Sequence, residues 1–510
     1  MSLIRGIVSA SLHVDPAFVV APVNRRTFGS FVEHMGRNVY TGLYEPGHPT
    51  ADSDGFRQDV LDLVRELGVT VVRYPGGNFV SGYQWEDGVG PVSERPTRLD
   101  PAWRTIETNE FGLNEFVRWA GKADLEVMLA VNLGTRGMRE AIELLEYSNH
   151  PSGTYLSDLR ISHGAKEPHG IRMWCLGNEM DGPWQLGHKT AEEYGRLAAE
   201  TARAMRQYDP ALELVACGSS HRSMPTFGTW EATVLDLAYD VVDYISAHAY
   251  YELQDDDLAS FLASSLNMES FIHDVVATAD HVAARLSTSK KINISFDEWN
   301  VWYVQEMHER DLPKDWTVAP RLSEDAYTVA DAVVVGSLLV TLLRNSDRVH
   351  AACQAQLVNA IGSIRTEPGG PAWRQSIFHP FAQMAGLAKG TVLRTEIKAP
   401  TYDTVRYGEA PVVDVAATHD EERNELVLFV VNRHPSDSVS FSANLRAFPG
   451  ARLGTATVLA DDDWRAANTL EQPDRVAPRP HPDASVADET LRTVLPPVSW
   501  NVFVLPTDAS

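Results

Sequence analysis

Cysteine is nearly missing from these 510 residues: only Cys175, Cys217 and Cys353 occur. Three widely spaced cysteines make neither a disulfide framework nor a zinc ribbon. Each falls in an apolar, strand-like segment that suits a buried free thiol. Positive charge is scarce as well. Lys and Arg total 44 against 69 Asp and Glu, a net charge of -25. A surface of that sign repels phosphate backbones and anionic membranes, so neither nucleic acid nor membrane is an expected partner. Long apolar runs are also lacking. The opening "MSLIRGIVSASLHVD" is broken at Arg5 and Gly6, so neither a signal peptide nor a transmembrane helix is expected, and a cytoplasmic protein is the default. There is no internal repeat and no low-complexity tract.

What is present is ordinary for a globular chain: 44% hydrophobic and 22% charged residues, with length for two or three domains. Along the first three quarters, short apolar runs alternate with helix-period stretches. The strand segments are "TFGSFVEH" (27–34), "VTVVRYPGGN" (69–78), "LEVMLAVNLG" (125–134) and "IRMWCLGNE" (171–179). They continue with "LELVACGSS" (212–220), "VVDYISAHAY" (241–250), "KINISFDEWN" (291–300) and "AACQAQLVN" (351–359). Between them, "FRQDVLDLVRELG" has helical spacing and stops at Gly68, and "TAEEYGRLAAETARAMRQYD" opens with a Thr190/Glu193 capping box. "SEDAYTVADAVVVGSLLVTLLRN" is apolar nearly all round, which predicts a deeply buried helix.

Strands that alternate with helices pair in parallel, and eight such units predict an α/β fold of the (β/α)8 TIM barrel type. The rival, a doubly wound open sheet, is weakened because no Gly-rich phosphate loop follows the first strand. After about Lys389 the helical patterns give way to short β runs such as "ELVLFVVNR" and "WNVFVLP", as in a β-sandwich. The expected organisation is therefore an opening strand segment at 1–20 that joins the sandwich, a catalytic barrel at 21–388 and a jelly-roll-like sandwich at 389–510.

Active sites of such barrels form at the C-terminal strand ends. Those ends carry Glu33 and His34, Asn78, Asn178 and Glu179, His248 and Tyr250, Glu298 with Trp299 and Trp302, and Gln356 and Asn359. Singly, each is more often a turn cap or a solvated group. Jointly, carboxylates, amides and aromatics at one mouth suit a neutral polyhydroxylated ligand. Glycoside hydrolysis needs two carboxyl groups flanking one bond. Glu179 and Glu298 end the fourth and seventh strands, on opposite sides of the mouth, and can approach to about 5 Å. Tyr250 could donate to a nucleophilic carboxylate, and Asn178 could bind a sugar 2-hydroxyl. Spacing alone does not say which glutamate plays which part.

The segments "GSFVEHMGRNVYTGLYEP", "RYPGGNFVSGYQWEDGVGP", "WCLGNEMDGPWQLG", "DYISAHAYY", "ISFDEWNVWY" and "AQLVNAIGSI" resemble the α-L-arabinofuranosidases of glycoside hydrolase family 51. The resemblance runs along the barrel and into the sandwich. It implies a retaining exo-hydrolase that removes terminal α-L-arabinofuranosyl groups from arabinan, arabinoxylan and their oligosaccharides. By the same resemblance Glu179 is the acid/base and Glu298 the nucleophile. Glu33, Asn78 and Asn178 bind arabinose hydroxyls, and His248, Tyr250 and Gln356 fall at pocket positions. Trp302 forms an aromatic wall, and Trp103 sits in a loop framing the pocket. The family further implies intracellular action, no metal or other cofactor, and a homo-oligomer, often a hexamer.

Duller readings compete with these. Glu33 could pair with Arg37 or Arg73, His248 could serve a neighbouring carboxylate, and Trp103 and Trp302 could be packing. His150, His163 and His169 cluster before the fourth strand, but at no spacing known for zinc. A non-catalytic carbohydrate-binding protein would not need both glutamates, and a metal-dependent hydrolase would want more histidines at the strand ends. β-Xylosidase or endo-β-glucanase activity on the same barrel is the closest alternative.

Overall fold

Each of the eight strand segments forms a strand in the computed structural model, which describes residues 7–508. The strands are Gly29–Phe31 (β1), Val71–Tyr74 (β2), Glu126–Val131 (β3) and Met173–Leu176 (β4). Glu213–Ala216 (β5), Tyr244–Tyr251 (β6), Asn293–Val301 (β7) and Val349–Ala355 (β8) follow. Each pairs in parallel with its sequence neighbours, and β8 pairs back onto β1, closing the barrel. Most strands are shorter than their apolar segments. The polar tails at Glu33, Asn78, Asn178, Glu179 and Gln356 therefore fall beyond the ladder, on the rim. β6 and β7 are longer and stay paired as far as Val301 and Tyr251, so His248, Tyr250 and Glu298 lie within strands instead of at their ends.

The helices obey local rules. Gln58–Leu67 ends at Gly68, whose φ of 78° is left-handed and whose N–H reaches back to the carbonyls of Val64 and Arg65. Ala191–Tyr208 begins with Thr190 and Glu193 capping each other's backbone N–H. Val329–Arg344 is buried from Val329 to Leu343 because the barrel covers one side and the C-terminal sheet the other. Gly336 permits the closest approach: a Cβ there would meet the Trp500 ring at 2.5 Å.

The C-terminal unit is built on one ten-stranded sheet. The chain's opening strand, Ile7–Pro22, belongs to it, antiparallel to Thr391–Lys398 and parallel to Ser438–Asn444. Residues 1–6 of the opening segment and 509–510 at the other end lie outside the described residues. Strand Glu425–Asn432 shows why two cores exist. Val427, Phe429 and Val431 face the barrel, whereas Leu426, Leu428 and Val430 face a separate core. That second core also takes Phe441, Leu491 and Leu495 from the other end of the sheet, so the sheet folds over itself as a sandwich. Among the described residues no helix is long and apolar enough to cross a membrane.

Candidate active site

The barrel mouth holds a cavity of about 870 Å³. Glu33, Asn78, Trp103, Glu179, Tyr250, Glu298, Trp302 and Gln356 line it. Asn178 and His248 are buried immediately behind, in contact with the lining carboxylates or their partners.

Glu33 pairs with neither Arg37 nor Arg73. Arg37 binds Glu324, and Arg73 is engaged elsewhere. Instead Glu33 Oε1 accepts from the Phe79 N–H at 2.9 Å and from Trp103 Nε1 at 3.0 Å, while Oε2 accepts from Gln356 Nε2 at 3.1 Å. Burial, aided by the charge of Glu298 and opposed by the Phe79 N–H, pushes the Glu33 carboxyl up to about 8. Asp100 ties down the Trp103 hairpin by accepting from the N–H groups of Ala102 and Trp103.

Glu298 is held by two donors, Arg73 Nη1 at 2.7 Å and the Tyr250 hydroxyl at 2.8 Å. The second nitrogen of the Arg73 fork donates to Asn178 Oδ1 at 2.7 Å, leaving Asn178 Nδ2 without a partner within the protein. The Trp302 ring packs edge-on against Tyr250, with centroids 4.9 Å apart.

Glu179 stands on a left-handed backbone, φ 45°, which a non-glycine residue adopts only under local constraint. Its Oε1 is 2.9 Å from His248 Nδ1, and its Oε2 accepts from Trp184 Nε1 at 2.7 Å. Burial raises the Glu179 carboxyl above its ordinary range, and Glu298 adds to the rise, against the pull of the His248 hydrogen bond. His248 reaches Asp297 Oδ1 through Nε2 at 3.0 Å. Burial works against its charge, yet Glu298, Asp297 and Glu179 together raise it to about 10. It is therefore an imidazolium at neutral pH and donates from both nitrogens. Asp297 is kept low despite burial by Arg73 and His248.

A fault in β7 makes this crowding possible. Ser295 pairs with Ser246 and Glu298 with His248, so three steps on β7 match two on β6. The same offset occurs against β8, between Phe296 and Trp299. This bulge lets adjacent Asp297 and Glu298 both turn into the site, which strict alternation forbids. Across the cavity, ligand atoms of Glu179, His248 and Glu298 all lie within 4.8 Å of one another. A metal could bridge such a spacing, but Glu298 is already paired with Arg73 and Glu179 with the charged His248. The three histidines before β4 have separate partners: His163 the Tyr147 hydroxyl, His169 the Asn114 side chain, and His150 the ring of Tyr208.

Gly77 keeps the centre open. A Cβ there would lie 3.0 Å from Glu298 Oε1 and 3.5 Å from both Asn178 Nδ2 and Glu33 Oε2. Arg73, Asp297, Trp184 and Gly77 were not among the expected site residues. An arginine inside the apolar run "VVRY" was a usable signal, because a buried guanidinium must find partners. Trp184, in a Pro-preceded loop, offered none.

Known proteins carry the same framework. A family model described as the α-L-arabinofuranosidase C-terminal domain matches residues 297–499, and one described as the α-L-arabinofuranosidase 1 domain matches residues 63–265. The chain is 60% identical over 495 residues to an intracellular exo-α-(1→5)-L-arabinofuranosidase of Streptomyces lividans, covering 97% of this chain and 75% of that one. It is 56% identical over 502 residues to an exo-α-(1→6)-L-arabinofuranosidase of Bifidobacterium longum, covering 96% of each. The solved structure of a family 51 α-L-arabinofuranosidase from Bifidobacterium longum matches with a TM-score of 0.94 at 49% identity, over 98% of this chain and 100% of that one. With two family domains matched and such identity sustained along nearly its whole length, the chain belongs to the α-L-arabinofuranosidases of glycoside hydrolase family 51.

Proposed function

We propose that the protein releases terminal non-reducing α-L-arabinofuranosyl groups by a retaining double displacement, with Glu298 as nucleophile and Glu179 as acid/base. The observation that carries this reading is the approach of the two carboxylates within 4.8 Å across one cavity. Separations of about 5–5.5 Å accompany retention, whereas inversion needs about 6.5–9.5 Å to admit a water.

In the first step a Glu298 oxygen bonds to the anomeric carbon as the bond to the leaving oxygen breaks, and Glu179 gives that oxygen its proton. In the second step water attacks the same carbon, Glu179 takes the water's proton, and Glu298 is released. Arg73 and Tyr250 aim Glu298. Asn178 Nδ2, unpartnered in the protein, is the donor available to the sugar 2-hydroxyl, a contact that strengthens in the transition state. Glu33, Asn78 and Gln356 hold the remaining hydroxyls, with Trp103 and Trp302 as walls. His248 serves by fixing Glu179, not by exchanging a proton with the sugar. No metal or cofactor enters either step. Cytoplasmic action on arabinan- and arabinoxylan-derived oligosaccharides, by a homo-oligomer of hexameric type, completes the reading.

Azide tests the assignment. Glu298→Ala should lose activity by a factor on the order of 10⁴–10⁶. Any product that azide restores there should be the inverted β-glycosyl azide. Glu179→Ala should slow least with good leaving groups, and azide should intercept its glycosyl-enzyme to give the retained α-glycosyl azide. A Glu179→Ala variant that slowed equally with good and poor leaving groups would refute the acid role. Turnover of a nitrophenyl β-xyloside but not of the α-L-arabinofuranoside would refute the substrate.

A further inference from the structure

Glu179 has two carboxyl oxygens, and the protein supplies a separate donor to each. His248 serves Oε1 at 2.9 Å, and Trp184 Nε1 serves Oε2 at 2.7 Å. The donors differ in setting. His248 is buried and braced from behind by Asp297. Trp184 is 47% exposed, lines the cavity beside His221 and Ser223, and stacks on the His221 ring with centroids 6.0 Å apart and planes at 10°.

The local sequence builds this contact. Glu179 and Trp184 are linked by a tight turn in which the Gly182 N–H donates to the Glu179 carbonyl at 2.8 Å. The indole then folds back over Gly182. A Cβ at that position would lie 2.5 Å from Trp184 Cε2 and 3.0 Å from Nε1. In "NEMDGPW" the glycine thus leaves room for the indole to reach the carboxylate it follows.

We infer that Trp184 is a positioning residue for the acid/base: its indole N–H pins Oε2 of Glu179, setting both the rotation of the carboxyl toward the leaving oxygen and the readiness with which it releases its proton. The inference rests on Glu179 being the acid/base. The physics is that of a donor facing an anion. An N–H stabilises the carboxylate more than the carboxylic acid, so it makes Glu179 a stronger acid than burial beside Glu298 would otherwise allow.

The test is the pH dependence of kcat/KM, whose alkaline limb reports the acid in the free enzyme. Trp184→Phe keeps a ring and removes the N–H. The alkaline limb should move up by about one pH unit, the scale of one hydrogen bond to a charged group. Turnover of an unactivated arabino-oligosaccharide should fall about tenfold, with a smaller loss on a nitrophenyl arabinoside. Gly182→Ala keeps the N–H but displaces the indole, and should shift the limb in the same direction. In the parent enzyme the indole ¹⁵N–H resonance that Trp184→Phe deletes should titrate with the alkaline limb, and should be flat in Glu179→Gln. An unmoved limb in both variants, a change confined to KM, or an indole resonance blind to Glu179 would overturn the inference. Azide rescue of Glu179→Ala separates the two failures: if rescue holds while the limb stays still, only the role of Trp184 falls.

Discussion

Asp414, where the barrel meets the sheet, and Glu298, at the barrel mouth, are both buried, and both are bound to an arginine. Their surroundings differ in one respect that separates architecture from a site. Around Asp414 the protein supplies enough donors: Arg344 on one oxygen, and on the other Ser337 at 2.6 Å, Ser265 at 3.2 Å and Arg433 at 3.6 Å. Although burial opposes it, the two arginines hold Asp414 down to about 2. At the mouth, Arg73 and His248 serve Asp297, Glu179 and Glu298, while Glu33 has neutral donors and no cation among the described residues, and these carboxyl groups border an open cavity. Burial, with a smaller push from the charge of Glu298, raises Glu33 and Glu179, and an amide donor is left over. A buried ion pair by itself signals little. Carboxylates crowded beyond their cations around empty space mark chemistry.

The comparison breaks or sharpens on three substitutions. The largest effect is expected at the junction. Asp414→Ala leaves the buried Arg433 guanidinium and half of the Arg344 network without their shared carboxylate and should cost about 3–5 kcal/mol, read as a lowered denaturant midpoint. The folded remainder should keep its kcat, and a loss of kcat without loss of stability would erase the distinction. Gly77→Ala should do the reverse. Its methyl group intrudes 3.0 Å from Glu298 Oε1, so kcat/KM should fall on the order of 10²-fold while the denaturant midpoint stays in place.

The smallest effect is a pH slope of opposite sign at the two places. Glu33 is raised in the fold from 4.5 to about 8, so the native state binds the extra proton and its contribution to stability declines as pH climbs through that window. Asp414 is depressed from 3.8 to about 2, so its contribution is complete above 3.8 and is lost as pH falls toward 2. Glu33→Gln should therefore remove a stability penalty at pH 8 and little at pH 5, at the expense of activity. Urea midpoints of parent and variant at the two pH values decide it. Equal differences at both would mean that Glu33 is not strained by its burial.

Much of this was legible in the chain because barrels announce themselves in one dimension. The run "ELVLFVVNR" alternates between two cores, and its β character is plain from the order of its residues alone. The same holds for the helix after Thr328, whose apolar faces point all round because the barrel and the sheet both need covering. Glu33, Asn78, Asn178, Glu179 and Gln356 stand where an apolar strand runs out, which is where a barrel opens. Arg73 and Asp297 were harder to read. The first sits inside a strand, and the second neighbours a residue that alternation would send to the opposite face. Only the bulge in β7 turns both Asp297 and Glu298 inward.

By itself, the amino-acid sequence determined the alternation of strand and helix, the change to β runs near residue 389, and the set of polar residues delivered to the rim. These follow from periodicity and from local caps, which act over a few residues. Which rim groups touch was set by packing in three dimensions. Barrel closure brought β4 and β7 across one cavity, the bulge swung Asp297 behind His248, and the turn at Gly182 laid an indole on Glu179. Such contacts depend on strand stagger and on where neighbouring side chains leave room, and no pattern along the chain encodes either.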